Sequence, residues 1–265
     1  MDIGTGKDLD EYETESGSVD YHLINILEAG DEYNLFKFQC DFVTAFKKIR
    51  SSGNIPVLCG GTGMYLDSIA RRYALAEVKP DKKFRDELEK LTLNELVARL
   101  EKLGDIHNST DILDKERAIR AIEIKQGNSC SQIANDKFLQ TIEPIVFLLM
   151  PHDRDILRAR ISKRLKERLR EGLIEEVEDL LNRGIPSLRL EQYGLEYKFV
   201  TKHVNGQISF CELESQLETA IHQFASRQIR WFNRMERKGV KMHRLDSEVS
   251  LQENVDRILR LWKSI

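Results

Sequence analysis

A short apolar run leads directly into a cluster of glycines, and this arrangement narrows the choice of fold. Residues Asn54 to Cys59 read NIPVLC and predict a buried strand, and the glycine-rich turn Gly60 to Gly63 follows before a helical pattern that begins near Met64. A further helix is predicted over Asn34 to Arg50, with Asn34 as its N-cap. The succession of helix, strand, glycine turn and helix is typical of α/β proteins with a parallel sheet.

The rest of the chain predicts an α/β core that is interrupted by helices. Helical patterns follow one another through the middle of the chain, and two later apolar segments predict further strands. The predicted elements are the helices Asp81–Leu91, Asn94–Leu103, Asp114–Gln126, Asp153–Arg183 and Ser215–Arg237, and the strands Pro144–Met150 and Lys241–Leu245. We therefore predict a first core segment over residues 1–74, a helical insertion over 75–140 and a second core segment with C-terminal helices over 141–265.

Composition excludes several classes of protein. The chain has 265 residues, 41% hydrophobic and 32% charged, so it is neither a disordered nor a collagen-like sequence. The longest apolar run, Ile145 to Met150, is too short to cross a bilayer. The first residues are acidic and lack the apolar segment of a secretory signal, and the acidic stretch Asp8 to Asp20 predicts a solvated loop or hairpin. The cysteines are scattered and the histidines show no metal-ligand spacing, so we expect a cytoplasmic protein without a disulfide framework or a metal held by side chains alone. These residues are Cys40, Cys59, Cys130 and Cys211, and His22, His107, His152, His203, His222 and His243.

The glycine-rich turn could bind an anion. Gly60, Gly61 and Gly63 would let backbone N–H groups approach a charged ligand at a helix N-terminus, and Thr62 would add a hydroxyl. The alternative interpretation is an ordinary tight turn between a strand and a helix. The segment Gly4 to Lys7 is not interpreted as a phosphate-binding P-loop, because Asp8 follows the lysine and no strand precedes it.

Clusters of arginine suggest a polyanionic partner, although the net charge is only −3. Arg117 and Arg120 share one helical face and could grip a phosphate, or they could form local ion pairs with Glu116 and Glu123. Two further basic rows on predicted helices favour nucleic acid over a merely solvated surface. The rows comprise Arg160, Arg164 and Arg168, and Arg227, Arg230, Arg234 and Arg237.

Six ordered segments resemble the tRNA dimethylallyltransferase (tRNA isopentenyltransferase) family. MDIGT at the start and YHLINIL from Tyr21 resemble M-D-I-G-T and H-H-L-I-D, and GGTGMY from Gly60 resembles G-G-T-G-L-Y. RAIRAIE from Arg117 resembles R-x-x-R-A-L-E, and the segment Arg160 to Val177 resembles R-I-x-x-R…G-L-x-x-E-V. Arg227, Gln228, Trp231 and Phe232 are similar to the closing R-Q-x-x-W-F.

The resemblance implies a P-loop-NTPase-like parallel sheet with a helical, tRNA-binding insertion. It also implies transfer of a dimethylallyl group from dimethylallyl diphosphate to N6 of the adenosine on the 3′ side of the anticodon in tRNA, with Mg²⁺ accompanying the diphosphate. By the same resemblance Thr62 is a catalytic-site residue that lies near the reacting adenosine. Gly60, Gly61, Gly63, Arg227 and Gln228 are expected to shape the substrate site. The positions expected to contact tRNA are Thr62, Arg85, Glu116, Arg117, Ala118, Ile119 and Arg120. We expect a monomer.

The sequence departs from the family pattern at its start. The family's P-loop and its D-S-x-Q segment, whose aspartate accepts the proton from N6, precede M-D-I-G-T, so a chain that begins at Met1 would lack the general base and the anion cradle. Two alternatives therefore stay open. One is an adenylate isopentenyltransferase that acts on free AMP, ADP or ATP, and the other is an inactive tRNA-binding remnant.

Overall fold

The structure, a computed structural model, describes residues 1–15, 17–75, 78, 81–104, 112–126 and 135–264. A short 3-10 helix, Leu9–Tyr12, precedes the regular elements. The strands are β1 (Glu13–Thr14), β2 (Gly17–Ser18), β3 (Val146–Met150) and β4 (Met242–Asp246). The helices are α1 (Leu35–Ser51), α2 (Gly63–Ala70), α3 (Lys82–Leu88), α4 (Leu93–Lys102), α5 (Lys115–Gln126), α6 (Asn135–Leu139), α7 (Arg154–Arg170), α8 (Leu173–Asn182), α9 (Ser187–Leu190), α10 (Leu195–Val204), α11 (Phe210–Arg237) and α12 (Leu251–Lys263).

Two compact units divide the chain. One comprises Met1–Arg71 and Glu143–Ile265, and we call it the core unit; the other, Arg72–Ile142, we call the helical unit. Strands β3 and β4 of the core unit pair in parallel, with Val146 opposite Met242 and Met150 opposite Asp246. Both strands form where the sequence predicts them, and their parallel pairing confirms the α/β class.

Helices provide most of the buried interior of the core unit. Apolar residues at helical spacing on α7, α8, α10 and α11 face one another and exclude water, which is the main favourable contribution to folding. Helix α11 begins at Phe210, earlier than predicted, because Ser209 and Glu212 form a reciprocal capping box at its N-terminus. The fully buried members of this interior include Leu173, Val177, Leu190, Tyr197, Val200, Leu213 and Leu217.

The strand predicted over Asn54 to Cys59 is not formed, and that prediction is wrong for this structure. The segment has no regular secondary structure, and the side chain of Val57 is 83% exposed. An extended segment becomes a strand only when a neighbouring strand accepts its backbone hydrogen bonds, and within the described residues none pairs with it. Local sequence therefore predicted the turn and α2 correctly, but not the strand.

The single long helix predicted over Asp153 to Arg183 is also wrong, because it is two helices. Helix α7 ends at Arg170 and α8 begins at Leu173, with Gly172 between them at φ 103°. A side chain rarely adopts this left-handed conformation, so the glycine permits the sharp change of direction. On α8, beyond the bend, Glu176 hydrogen-bonds to the first residues of the chain.

The helical unit has its own apolar core, in which α3, α4 and α5 pack together. Thr92 and Glu95 form a capping box that starts α4, and the three predicted helices are confirmed within a few residues. The residues buried between the helices include Leu88, Leu96, Leu100, Ala118, Ile119 and Ile122.

The acidic stretch near the start of the chain belongs to the core unit and contains the exposed β1–β2 hairpin. A hairpin was one of the two forms predicted for this stretch, the other being a solvated loop. Among the described residues no helix is long and apolar enough to cross a membrane.

Candidate functional site

The glycine-rich turn leads into the first turn of α2. Thr62 is the N-cap residue, but its hydroxyl makes no capping hydrogen bond, and its side chain is exposed. The carbonyl of Thr62 accepts hydrogen bonds from the amides of Tyr65 at 3.0 Å and Leu66 at 3.2 Å, which start the helix. The hydroxyl of Thr62 therefore remains available for a ligand at the positive end of the α2 dipole.

Helix α11 packs directly against this turn. Gln228 donates a hydrogen bond from Nε2 to the carbonyl oxygen of Gly61 at 2.8 Å. A Cβ atom on Gly63 would lie 2.6 Å from Cδ1 of Trp231, so only glycine permits this approach. Two predicted site-shaping residues, Gly61 and Gln228, thus bond to each other although 167 positions separate them. The guanidinium of Arg227 instead lies 5.8 Å from the ring of Phe224.

A second close approach joins the first residues of the chain to helices α8 and α10. The carboxylate of Glu176 accepts hydrogen bonds from the backbone amides of Asp2 at 2.6 Å, Ile3 at 2.9 Å and Gly4 at 3.2 Å. It also accepts one from the hydroxyl of Tyr197 at 2.6 Å. A Cβ on Gly4 would lie 2.7 Å from the Tyr197 ring. The amides of Asp2, Ile3 and Gly4 therefore bind an internal carboxylate.

Charge at this carboxylate is stabilised by its hydrogen bonds. Burial alone would raise the pKa of Glu176, but the bonds from Tyr197 and from the three amides outweigh it and hold the pKa below its usual value. Burial and the neighbouring carboxylate raise the pKa of Tyr197. At neutral pH the tyrosine is therefore the donor and the ionised glutamate the acceptor.

The predicted tRNA-contacting arginines of the helical unit share a carboxylate. Arg85 on α3 donates from Nε to Oε1 of Glu123 at 2.7 Å and from Nη2 to Oε2 at 2.9 Å. Arg120 donates from Nη1 to Oε2 of Glu123 at 3.1 Å and from Nη2 to the carbonyl of Val78 at 2.9 Å. The Glu123 side chain is only 2% exposed. Arg120 therefore pairs with Glu123, one of the two acids that the local ion-pair interpretation named.

The remaining predicted tRNA-contacting positions differ in exposure. The side chain of Arg117 is 57% exposed and pairs with Asp114 at 3.1 Å on the surface, and Glu116 is also exposed. Ala118 and Ile119 are buried in the apolar core of the helical unit. Their side chains cannot reach RNA, so the prediction for this stretch now depends on its exposed and half-exposed side chains.

In each basic row of the core unit, some arginines already contact other residues of the protein. Arg160 donates to the hydroxyl and carbonyl of Ser247, and the largely buried Arg168 lies 3.8 Å from Glu196. On α11, Arg234 lies 5.8 Å from the ring of Trp231. Exposed bases with no ion pair among the described residues include Arg164, Arg230 and Arg237.

Sequence reasoning missed three residues that organise these contacts. Glu176 and Trp231 lie inside quoted motifs, but nothing in a single sequence shows that a carboxylate or an indole faces a distant turn. The sequence suggested Glu123 only as a local ion-pair partner, whereas in the structure its buried carboxylate accepts hydrogen bonds from both Arg85 and Arg120. Cys130 and His107 lie outside the described residues, and within those residues no group of three or more His, Cys, Asp or Glu side chains could hold a metal ion.

Comparison with known proteins agrees with this arrangement of motifs. Residues 1–235 match the family model described as IPP transferase. The chain is 44% identical to tRNA dimethylallyltransferase 2 of Phocaeicola vulgatus over 98% of its length and 84% of that protein. It is 48% identical to tRNA dimethylallyltransferase 2 of Syntrophotalea carbinolica over 93% of its length and 81% of that protein.

Solved structures show the same relationship. The full-length tRNA isopentenylpyrophosphate transferase of Bacillus halodurans matches 100% of this chain and 83% of its own, at 26% identity and a TM-score of 0.66. A eukaryotic dimethylallyltransferase acting on tRNA, at 17% identity and a TM-score of 0.71, shares the fold. The predicted fold class is thereby confirmed, and the chain belongs to the IPP transferase family.

Proposed function

We propose that this protein transfers a dimethylallyl group from dimethylallyl diphosphate to N6 of the adenosine on the 3′ side of the anticodon in tRNA. The single observation that carries the proposal is the docking of Gln228 and Trp231 of α11 on the glycine-rich turn, which leaves the Thr62 hydroxyl exposed. Relatives at 44% and 48% identity are named tRNA dimethylallyltransferases, and none of the comparisons favours an enzyme of free nucleotides. We also propose that the protein acts as a monomer.

The chemistry accounts for a glycine-rich turn at a helix N-terminus. A bond forms between N6 and C1 of the dimethylallyl group, the bond from C1 to the diphosphate oxygen breaks, and negative charge grows on the leaving diphosphate. Amide N–H groups and a hydroxyl at the α2 N-terminus would add to the stabilisation of this charge by the P-loop, to which the resemblance assigns the diphosphate cradle. By the resemblance, an aspartate in the D-S-x-Q segment accepts the proton that leaves N6. We therefore give the role of general base to no residue from Met1 onward.

Diphosphates normally travel with Mg²⁺, and we propose that the substrate brings this ion with it. The described part of the chain offers no group of acidic, histidine or cysteine side chains that fits a protein-held metal. We therefore assign no step to a metal ligand of the protein.

Substrate choice tests the proposed reaction directly. The full gene product, given labelled dimethylallyl diphosphate, should label tRNA and should leave AMP, ADP and ATP unlabelled. Labelled free nucleotide would support the adenylate isopentenyltransferase alternative. Binding of tRNA without transfer of label would support the inactive remnant.

Binding of tRNA by the helical unit is tested best at Arg117. Replacing Arg117 with alanine should lower the log–log salt slope of tRNA binding by roughly one unit, because one phosphate contact is lost. Stability should change by less than about 0.5 kcal/mol, since the pair with Asp114 is exposed. Lys102→Ala is the matched control, because it also removes an exposed positive charge, from α4 of the same unit. Equal slopes for the two variants in filter binding would contradict the tRNA contact.

Arg120 is a poorer test residue than its spacing suggests. Its removal takes away a donor to the buried Glu123 carboxylate, and breaking a buried pair destabilises the fold as well as any RNA contact. Arg117→Ala alone is therefore the cleaner test of the tRNA contact.

A further inference from the structure

Glu123 is the buried centre of a three-residue cluster in the helical unit. Its two oxygens accept three hydrogen bonds, two from Arg85 on α3 and one from Arg120 on its own helix. Oε2 accepts from both guanidiniums, at 2.9 Å and 3.1 Å. The carboxylate thus holds two positively charged guanidiniums close together. Without the negative charge between them, the two groups would repel each other and move apart.

Both guanidiniums keep donors for another ligand. An arginine has five N–H groups. Arg85 directs two of them to Glu123, and Arg120 directs one to Glu123 and one to the Val78 carbonyl. Three N–H groups on each arginine have no acceptor among the described residues. The two side chains are 35% and 37% exposed, so these donors can reach solvent while Glu123 remains covered.

The carboxylate at the centre of the cluster is ionised. Burial alone would raise the pKa of Glu123, but the hydrogen bonds and charges of Arg85 and Arg120 outweigh it and lower the pKa, so the carboxylate is ionised at neutral pH. Two guanidiniums and one carboxylate leave one net positive charge. Glu116 and Glu89 add two further negative charges near Arg85, so net charge does not select an anion here. An anionic ligand is favoured instead by the guanidinium N–H groups that no described residue accepts.

We propose that Glu123 is a positioning residue, which holds Arg85 and Arg120 in the orientation that binds a backbone phosphate of tRNA. This inference rests on the proposed function, since it takes tRNA as the ligand of the helical unit. A fixed pair of guanidiniums loses less side-chain entropy on binding than two mobile ones. The carboxylate itself never touches the RNA.

Positioning and simple charge attraction predict opposite effects of removing this carboxylate. In the Glu123→Gln variant the helical unit gains one positive charge, so attraction alone would tighten tRNA binding. Loss of orientation would weaken it instead, because the amide group of Gln presents a donor where Arg85 or Arg120 needs an acceptor. The direction of the change in affinity therefore distinguishes the two.

The experiment is filter binding of tRNA to the full protein over a range of salt concentrations. We expect Glu123→Gln to bind roughly tenfold more weakly, with a log–log slope lower by about one. Leu96→Ala is the stability control, because Leu96 is fully buried in the same core and hydrogen-bonds to neither arginine. It should lower the melting temperature while keeping the slope of the unaltered protein. A slope that falls equally in both variants would reduce Glu123 to a structural role.

Two further variants keep the test decisive. Glu123→Asp retains the charge but is one methylene shorter, so weaker binding by this variant is an effect of position and not of charge. Unchanged or tighter binding of tRNA by both Glu123 variants overturns the proposal.

Arg85→Gln tests the proposed function separately. If Arg85→Gln weakens binding and the Glu123 variants do not, only the positioning role fails. If Arg85→Gln and Arg117→Ala both bind like the unaltered protein, the tRNA site and the positioning role fail together.

Discussion

Replacing Gly63 with alanine is expected to destabilise the protein by about 1–3 kcal/mol and to reduce dimethylallyl transfer to tRNA roughly a hundredfold. The added Cβ would lie 2.6 Å from Cδ1, 2.7 Å from Cγ and 3.2 Å from Cβ of Trp231. Atoms this close must separate, and Trp231 cannot withdraw freely because α11 is a rigid helix of 28 residues. The turn that carries Thr62 would therefore move away from α11. Equilibrium denaturation and the transfer assay measure the two effects.

Gly60 is the matched control within the same turn. A Cβ on Gly60 would meet no atom within 4 Å, so Gly60→Ala should change stability by less than about 0.5 kcal/mol. Combining Gly63→Ala with Trp231→Leu, which removes the indole, should restore part of the stability lost by the glycine variant. Equal stability of the Gly60 and Gly63 variants, or no coupling between Gly63 and Trp231, would show that this close approach does not hold the turn.

Removal of the Glu176 side chain should destabilise the protein by about 2–4 kcal/mol. Glu176→Ala leaves the part-buried amides of Ile3 and Gly4 and the part-buried hydroxyl of Tyr197 without their acceptor, whereas water can reach the exposed amide of Asp2. An unsatisfied donor away from water costs more than a hydrogen bond contributes. Glu178→Ala is the control, since Glu178 is exposed on the same helix. Urea denaturation of both variants measures the difference. A loss equal to that of Glu178→Ala would mean that the contact contributes nothing to stability.

The same interaction should depend on pH in a definite direction. The folded-state pKa of Glu176 lies below 4.5, so the unfolded chain binds the proton more readily. The stabilisation is therefore fully present above about pH 4.5 and is lost as the pH falls through the folded-state pKa. The difference in stability between the unaltered protein and Glu176→Gln should shrink over that acidic range. A constant difference down to the acid transition would contradict the ionised form of the contact.

Some features of the fold and site follow from local sequence. The N-cap at Asn34, the strand Val146–Met150, the glycine-rich turn and the helices of the insertion all depend on residues that are close in the chain, so periodicity and capping chemistry reveal them. The ordered motifs likewise predicted the family and its reaction class. What they did not reveal is that Gly172 divides one helical pattern into two helices, because the next helix can continue the same apolar periodicity.

The amino-acid sequence by itself determined the α/β class, the family and the residue types that could handle a diphosphate and an RNA backbone. Only the tertiary structure decided which of those residues meet: Gln228 and Trp231 at the glycine turn, Glu176 at the first residues, and Arg85 and Arg120 on Glu123. It also showed that Asn54 to Cys59 is not a strand among the described residues, since no strand pairs with it. The physical reason is the same in each case. Side-chain type and local periodicity are properties of neighbouring residues, whereas hydrogen-bond partners and burial depend on segments that are distant in the chain.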